Sequence, residues 1–150
     1  MTIAVLGAGM VGRAIALDLA THFSVTSFDV SAANLSLLAE RNPVIKTVTA
    51  DLTNYDQYPV WLSPFDLVVT AVPGFMGYQT LKAVINAGKN VVDISFFPED
   101  ALQLDALAKE KGVTVITDCG VAPGMSNFII GRYNAEMKVG AFEAYVGGLP

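Results

Sequence analysis

Ile3-Ala4-Val5-Leu6-Gly7-Ala8-Gly9-Met10-Val11-Gly12 is the stretch that decides the fold. Four apolar residues run into a complete G-x-G-x-x-G, and apolar residues recur at Val11, Ile15 and Leu19, the i, i+4, i+8 spacing of one helix face. The glycine pattern alone is common; a strand before it and a helix after it give it meaning. Each glycine answers a different need. Gly7 permits the tight turn, Gly9 lets backbone approach a diphosphate with no Cβ in the way, and Gly12 allows helix and strand to pack closely. The helix start presents free N–H groups and the positive end of its dipole, which suits an anion. The alternative is a glycine-rich turn that serves packing alone.

Asp29 closes the next apolar run, Val25–Phe28, 22 residues after Gly7 and 17 after Gly12. That is near the spacing of about 20 at which a carboxylate meets the adenosine ribose. Such a carboxylate accepts hydrogen bonds from both ribose hydroxyls and repels a 2′-phosphate. Val30, Ser31, Ala32 and Ala33 bring no Arg or Lys to welcome that phosphate, so NAD is expected over NADP. A helix-entry cap or turn residue is the other account of Asp29.

Further runs follow at Val44–Val48, Leu67–Val72, Asn90–Ile94 and Val113–Thr117. They are mostly continuous and rich in Val and Ile, as strands buried on both faces of a parallel sheet are. Helical spacing lies between them, with Ser31 a natural N-cap over Ala32–Arg41, and Gly88 and Gly112 placed to stop helices. A short helix is expected over Asn54–Leu62. Strands alternating with helices imply an α/β doubly wound parallel sheet, a three-layer α/β/α Rossmann fold. Ligands of such sheets bind beyond the carboxyl ends of the strands. This places Val72 and Pro73 opposite the glycine turn, Asp51 and Leu52 near adenine, and Ser95 and Phe96 toward the nicotinamide; ordinary loop structure accounts for these positions equally well.

Composition narrows the class. The chain has 150 residues, 53% hydrophobic and 15% charged, with a net charge of -5. That excludes a disordered, mainly charged chain and argues against nucleic acid as a partner. The single cysteine, Cys119, excludes a disulfide framework and a multi-cysteine zinc site, and no His/Asp/Glu cluster has metal-ligand spacing. The longest uncharged run, Leu67–Leu81, has 15 residues and is broken by Pro73, Gly74 and Gly77. A spanning helix needs about 18 or more apolar residues, so no membrane partner is expected. No basic segment precedes Ile3–Leu6, so a cytoplasmic protein without a secretory leader is expected.

Asp118-Cys119-Gly120 leads into Val121-Ala122-Pro123-Gly124-Met125-Ser126-Asn127. Ala-Pro-Gly before a helix over Met125–Met137 suggests a start with free N–H groups, where Met125, Ser126 and Asn127 would meet an anionic substrate group. A plain crossover into a following domain fits equally. Cys119 reads as a buried apolar filler rather than a nucleophile. His22, at the far end of the first helix, reads as a surface or capping residue. Ala141–Val146 alternates like a strand and runs into Gly147-Gly148-Leu149-Pro150.

Taken together, these segments resemble the saccharopine dehydrogenase-like proteins, and most closely their L-lysine 6-dehydrogenase branch. The matching pieces are Leu6–Ala16, Phe28-Asp29-Val30, Ala71–Phe75, Val92–Phe96, Gly120–Asn127 and Tyr145–Pro150. They span essentially the whole chain, and Ala-Pro-Gly-Met-Ser-Asn and Gly-Gly-Leu-Pro are the specific ones. The resemblance implies hydride transfer from the amine-bearing carbon of an amino acid to NAD, giving an imine that hydrolyses. Carried over by position, Gly9, Met10, Val11 and Asp29 bind NAD, with Val72 and Pro73 alongside. It also implies a cofactor-binding domain over 1–138 and, over 139–150, the first strand of a second domain that completes the substrate pocket and a homodimer. Catalysis by this chain alone is then not expected. Two other accounts remain. One is a regulatory nucleotide-sensing Rossmann module, as in potassium-transport regulators. The other is an NADP-dependent saccharopine or carboxy-polyamine dehydrogenase.

Overall fold

The computed structural model describes residues 1–147. Strand β1 (Thr2–Leu6) sits between β2 (Ser24–Asp29) and β4 (Leu67–Thr70). Outside them lie β3 (Lys46–Thr49), β5 (Asn90–Asp93) and β6 (Val115–Ile116). The order is β3-β2-β1-β4-β5-β6, and every pair is parallel. The first crossovers are α1 (Met10–Leu19) and α2 (Ala32–Arg41). Beyond them come α3 (Tyr58–Trp61), α4 (Gly74–Asn86) and α5 (Asp105–Lys111).

The pleat of β1 sends alternate side chains into two cores. Ile3 and Val5 pack with Ala16 of α1 and Leu38 of α2, whereas Ala4 and Leu6 pack with Leu81, Val84 and Ile85 of α4. This makes the three-layer α/β/α fold. Each fully buried Leu or Ile contributes about 1.5–3 kcal/mol, so both layers are strongly held to the central strand.

Burial on both faces holds at the centre of the sheet, where Ile3 to Leu6 are at most 1% exposed. It fails at the edge, where all four residues of β3 are exposed, because no second neighbouring strand or full helix layer covers them. Four strands are also shorter than their apolar runs, β5 by Ile94 alone. β3 starts at Lys46, since the Val44 amide donates to Asn42 Oδ1 instead of a strand neighbour. β4 ends at Thr70, where the chain bends toward α4, and β6 keeps two residues of its run. Ser31 caps α2 by accepting from the Asn34 amide, and Gly88 and Gly112 adopt φ of 70° and 65° where α4 and α5 stop. The helix expected over Asn54–Leu62 is a 3₁₀ turn, Tyr55–Gln57, running into α3.

The chain forms two compact units, Met1–Thr117 and a second from Asp118 onward. In the second, Gly120 is bridged to Gly124, and α6 spans Met125–Glu136. The strand expected over Ala141–Val146 does not form: residues 137–147 hold no strand, and none of the described residues pairs with them. An alternating sequence becomes a strand only where a neighbour takes its N–H and C=O groups. Gly148, Leu149 and Pro150 lie outside the described residues.

Candidate functional site

β1 delivers the chain at Leu6 into the glycine turn, and α1 begins at Met10. Gly7 has φ of 105°, and a Cβ on it would lie 2.4 Å from the Ala71 carbonyl oxygen. A Cβ on Gly12 would lie 2.0 Å from the Gly7 carbonyl oxygen. The protein's own backbone therefore requires both. Gly9 is different: its φ is -62°, and a Cβ there would meet nothing within 4 Å. The space this glycine leaves free is useful to a ligand, not to the fold. The first backbone bond at this helix start runs from the Arg13 amide to the Gly9 carbonyl, 2.9 Å. Among the described residues, nothing accepts from the amides of Gly9, Met10, Val11 and Gly12. Four free donors and the positive helix end form a ready anion cradle.

The cradle forms one wall of an open cleft of about 660 Å³. Val72 and Pro73 lie on it, as do Asp29, Asp51 and Leu52. Met10 and Val11 line it too, so Val11 belongs to the cleft rather than to the buried face of α1, which is Gly12 and Ala16. Asp29 is half-buried. Its Oδ2 accepts from the Ala8 amide at 2.6 Å and its Oδ1 from the Ser31 amide at 2.7 Å. It is thus a turn-holding residue that also faces the cleft. Each carboxylate oxygen can accept twice, which leaves capacity for ribose hydroxyls.

At the other end, Asp51 Oδ1 accepts from the Thr53 hydroxyl at 2.7 Å and from the Thr53 amide at 3.0 Å. These bonds hold its carboxyl below the usual carboxylate range. Leu52 is fixed from behind, because the buried Tyr58 hydroxyl donates to its carbonyl at 2.8 Å. Burial pushes the Tyr58 phenol well above its ordinary value, and the Thr80 hydroxyl partly offsets this.

Ser95 is not brought to the cleft. It is buried, and a Cβ on Gly77 of α4 would lie 2.8 Å from the Ser95 Cβ. Its neighbour Ile94 lines the cleft instead, because successive residues of an extended chain face opposite sides. Phe96 is 77% exposed and does not line the cleft. Sequence reasoning missed Asn34, Thr53, Phe75 and Met76, which do. Phe75 carried a signal: an aromatic on the first turn of α4, directly after Pro73-Gly74.

In the second unit, the free amides expected at the start of α6 are absent. The Met125 amide donates to the Gly120 carbonyl at 2.9 Å, Ser126 to Val121 at 3.2 Å and Asn127 to Gly124 at 2.9 Å. Gly124, with φ of 134°, folds the turn back so that its own carbonyls meet the helix start. The Ser126 hydroxyl donates to Asn127 Oδ1 at 3.2 Å. Cys119 is half-buried rather than buried, and His22 is exposed with its ring edge-on to Phe23. Among the described residues, no group of three or more His, Cys, Asp or Glu is placed to hold a metal ion, and no helix is long and apolar enough to cross a membrane.

A family model described as saccharopine dehydrogenase NADP binding domain matches residues 3–116. The saccharopine dehydrogenase (NADP(+), L-glutamate-forming) of Pyricularia oryzae is 31% identical over 90 residues, which is 57% of this chain and 20% of that protein. The alpha-aminoadipic semialdehyde synthase of Arabidopsis thaliana is 26% identical over 111 residues, 71% of this chain and 10% of that protein. In fold, the chain matches apo saccharopine dehydrogenase (L-Glu forming) from Saccharomyces cerevisiae with a TM-score of 0.78 at 24% identity, covering 90% of this chain and 31% of that one. The chain spans a fifth or less of these curated relatives.

Proposed function

The chain belongs to the saccharopine dehydrogenase NADP binding domain family, and on that premise we propose that it is the cofactor-binding part of a cytoplasmic amino-acid dehydrogenase that takes NAD. A bound nicotinamide would supply the hydride acceptor for a carbon that bears nitrogen. This chain's residues bind and orient. The free amides of Gly9 to Gly12 hold the diphosphate, and Asp29 accepts from the adenosine ribose hydroxyls. Asp51 and Leu52 flank the adenine end, and Val72 and Pro73 the nicotinamide end.

Asp29 carries the choice of NAD. Its carboxylate faces the cleft with both oxygens pinned by backbone amides, so it cannot swing away from an incoming phosphate without breaking them. Two like charges about 4 Å apart near a protein surface repel by about 4 kcal/mol, enough to exclude a 2′-phosphate. The second reading, an NADP-linked saccharopine or carboxy-polyamine dehydrogenase, draws on the names of the family model and the first curated relative, both of which specify NADP.

Calorimetric titration of the chain with NAD and with NADP separates the two. The expected result is tighter NAD binding, weakened on the order of tenfold in Asp29→Ala. Preference for NADP moves the assignment to the second reading, and binding of neither overturns both. Under this proposal, a further domain supplies most substrate contacts and the contact of a homodimer. Met125, Ser126 and Asn127 remain the substrate-side candidates here, through their side chains. The 150-residue chain then holds NAD without turning over lysine, which a direct absorbance assay for reduced nicotinamide checks.

A further inference from the structure

We infer that Arg13 is the positioning residue of the dinucleotide site, closing a hydrogen-bond circuit that sets the diphosphate-facing amide of Gly9 and the ribose-facing carboxylate of Asp29 as one unit. This rests on the dinucleotide reading above. The Arg13 guanidinium Nη1 donates to the Ala8 carbonyl and to Asn34 Oδ1, both at 3.1 Å. The Asn34 amide donates to Ser31 Oγ at 3.3 Å, the Ser31 amide to Asp29 Oδ1 at 2.7 Å, and the Ala8 amide to Asp29 Oδ2 at 2.6 Å. The path returns to its start through Ala8. It ties the glycine turn, the end of β2 and the first turn of α2 together.

The circuit bears on binding because of peptide geometry. The Ala8 carbonyl and the Gly9 N–H belong to one planar trans peptide, so they point in opposite directions. By holding that carbonyl, Arg13 aims the Gly9 N–H the other way, and that amide has no acceptor among the described residues. Ala8 is fully buried, so without Arg13 a buried carbonyl loses a donor and the peptide plane loses a restraint. No ion pair explains the placement: among the described residues, Arg13 forms none. Its two acceptors are neutral, and its charge remains available in the field of an anionic ligand.

The test is calorimetric NAD titration of the chain and its Arg13→Gln, Arg13→Lys, Asn34→Ala, Asp29→Asn and Arg13→Gln/Asp29→Asn variants, with a thermal melt of each. Arg13→Gln should weaken NAD binding on the order of tenfold, and Arg13→Lys should restore part of it through its own donors. The double variant should bind no more weakly than Asp29→Asn alone, since residues of one network couple. Asn34→Ala opens the circuit without touching the turn; it should lose several-fold in affinity with an unchanged melting temperature, and it decides the matter where Arg13→Gln does not fold. Should Arg13→Gln and Asn34→Ala bind NAD within about two-fold of the unsubstituted chain while Asp29→Asn is weakened, this inference alone fails. It also fails if the Arg13 and Asp29 losses multiply independently. If the unsubstituted chain binds no dinucleotide, it falls together with the proposed function.

Discussion

The starts of α1 and α6 share a sequence logic, a glycine-bounded turn feeding a helix, and they end as chemical opposites. At α1 the amides of Gly9 to Gly12 face an open cleft with no acceptor among the described residues; at α6 the amides of Met125, Ser126 and Asn127 all donate to carbonyls of the preceding turn. The difference lies in where the turn's carbonyls go. Before α1, the Leu6 carbonyl accepts from the Ala71 amide at 2.8 Å and the Ala8 carbonyl from Arg13. The Leu6 carbonyl goes to the residue after β4 and the Ala8 carbonyl to a side chain of α1, so neither is taken by an amide of the helix start. Before α6, the Gly120 and Val121 carbonyls are taken by the helix itself. A helix start offers an anion site only where its turn's carbonyls are met by something other than the helix's own first amides.

The contrast can be broken most severely at Gly12. Gly12→Ala places a Cβ 2.0 Å from the Gly7 carbonyl oxygen, which only a shift of backbone relieves. Overpacking of this kind costs about 1–3 kcal/mol, and displacing the turn should also abolish measurable NAD binding; urea melts and calorimetry on one preparation check both. Gly9→Ala should separate the two properties. Its Cβ meets open space at an ordinary φ, so stability should hold or rise by about 0.4–1 kcal/mol while NAD affinity drops. A Gly9→Ala chain that binds NAD normally would mean that the cleft side of the turn is not the diphosphate site.

Gly124→Ala is the mirror experiment. At φ of 134°, with a Cβ 2.1 Å from the Gly120 carbonyl oxygen, it should cost about 1–3 kcal/mol locally. It should speed hydrogen exchange at the Met125, Ser126 and Asn127 amides and leave NAD affinity within about two-fold. The smallest effect is electrostatic. The Thr53 hydroxyl and amide depress the Asp51 carboxyl, so its contribution to stability is present above its unfolded pKa and is lost as pH falls through the folded value. Because Asp51 is exposed the contribution is small: the chain should be slightly more stable than Asp51→Asn above about pH 4 and converge with it as pH falls further, as acid-dependent melts would show.

Much of this is legible in the sequence. Continuous Val/Ile runs separated by helical spacing led to the parallel sheet and its three layers, and the spacing from Gly7 to Asp29 put that carboxylate on the cleft. The misses share a cause. Ser95 was expected at the cleft because it follows a strand, yet Gly77 opposite it gives it a buried place under α4. Ala141–Val146 had the alternation of a strand and found no partner among the described residues. Arg13 is not among the residues that follow Asp29 in the chain, because it reaches Asn34 from a different helix.

Periodicity, glycine spacing and capping act over a few residues, so they are written locally, and strands, helices, the turn and Asp29 could be placed from them. Hydrogen-bond partners at the site are chosen between segments far apart in the chain: Ala71 for Leu6, Asp29 for Ala8, Asn34 for Arg13. Those pairings exist only once the sheet has brought the segments together. They leave the start of α1 with amides to offer, whereas the start of α6, capped by its own turn, has already used them.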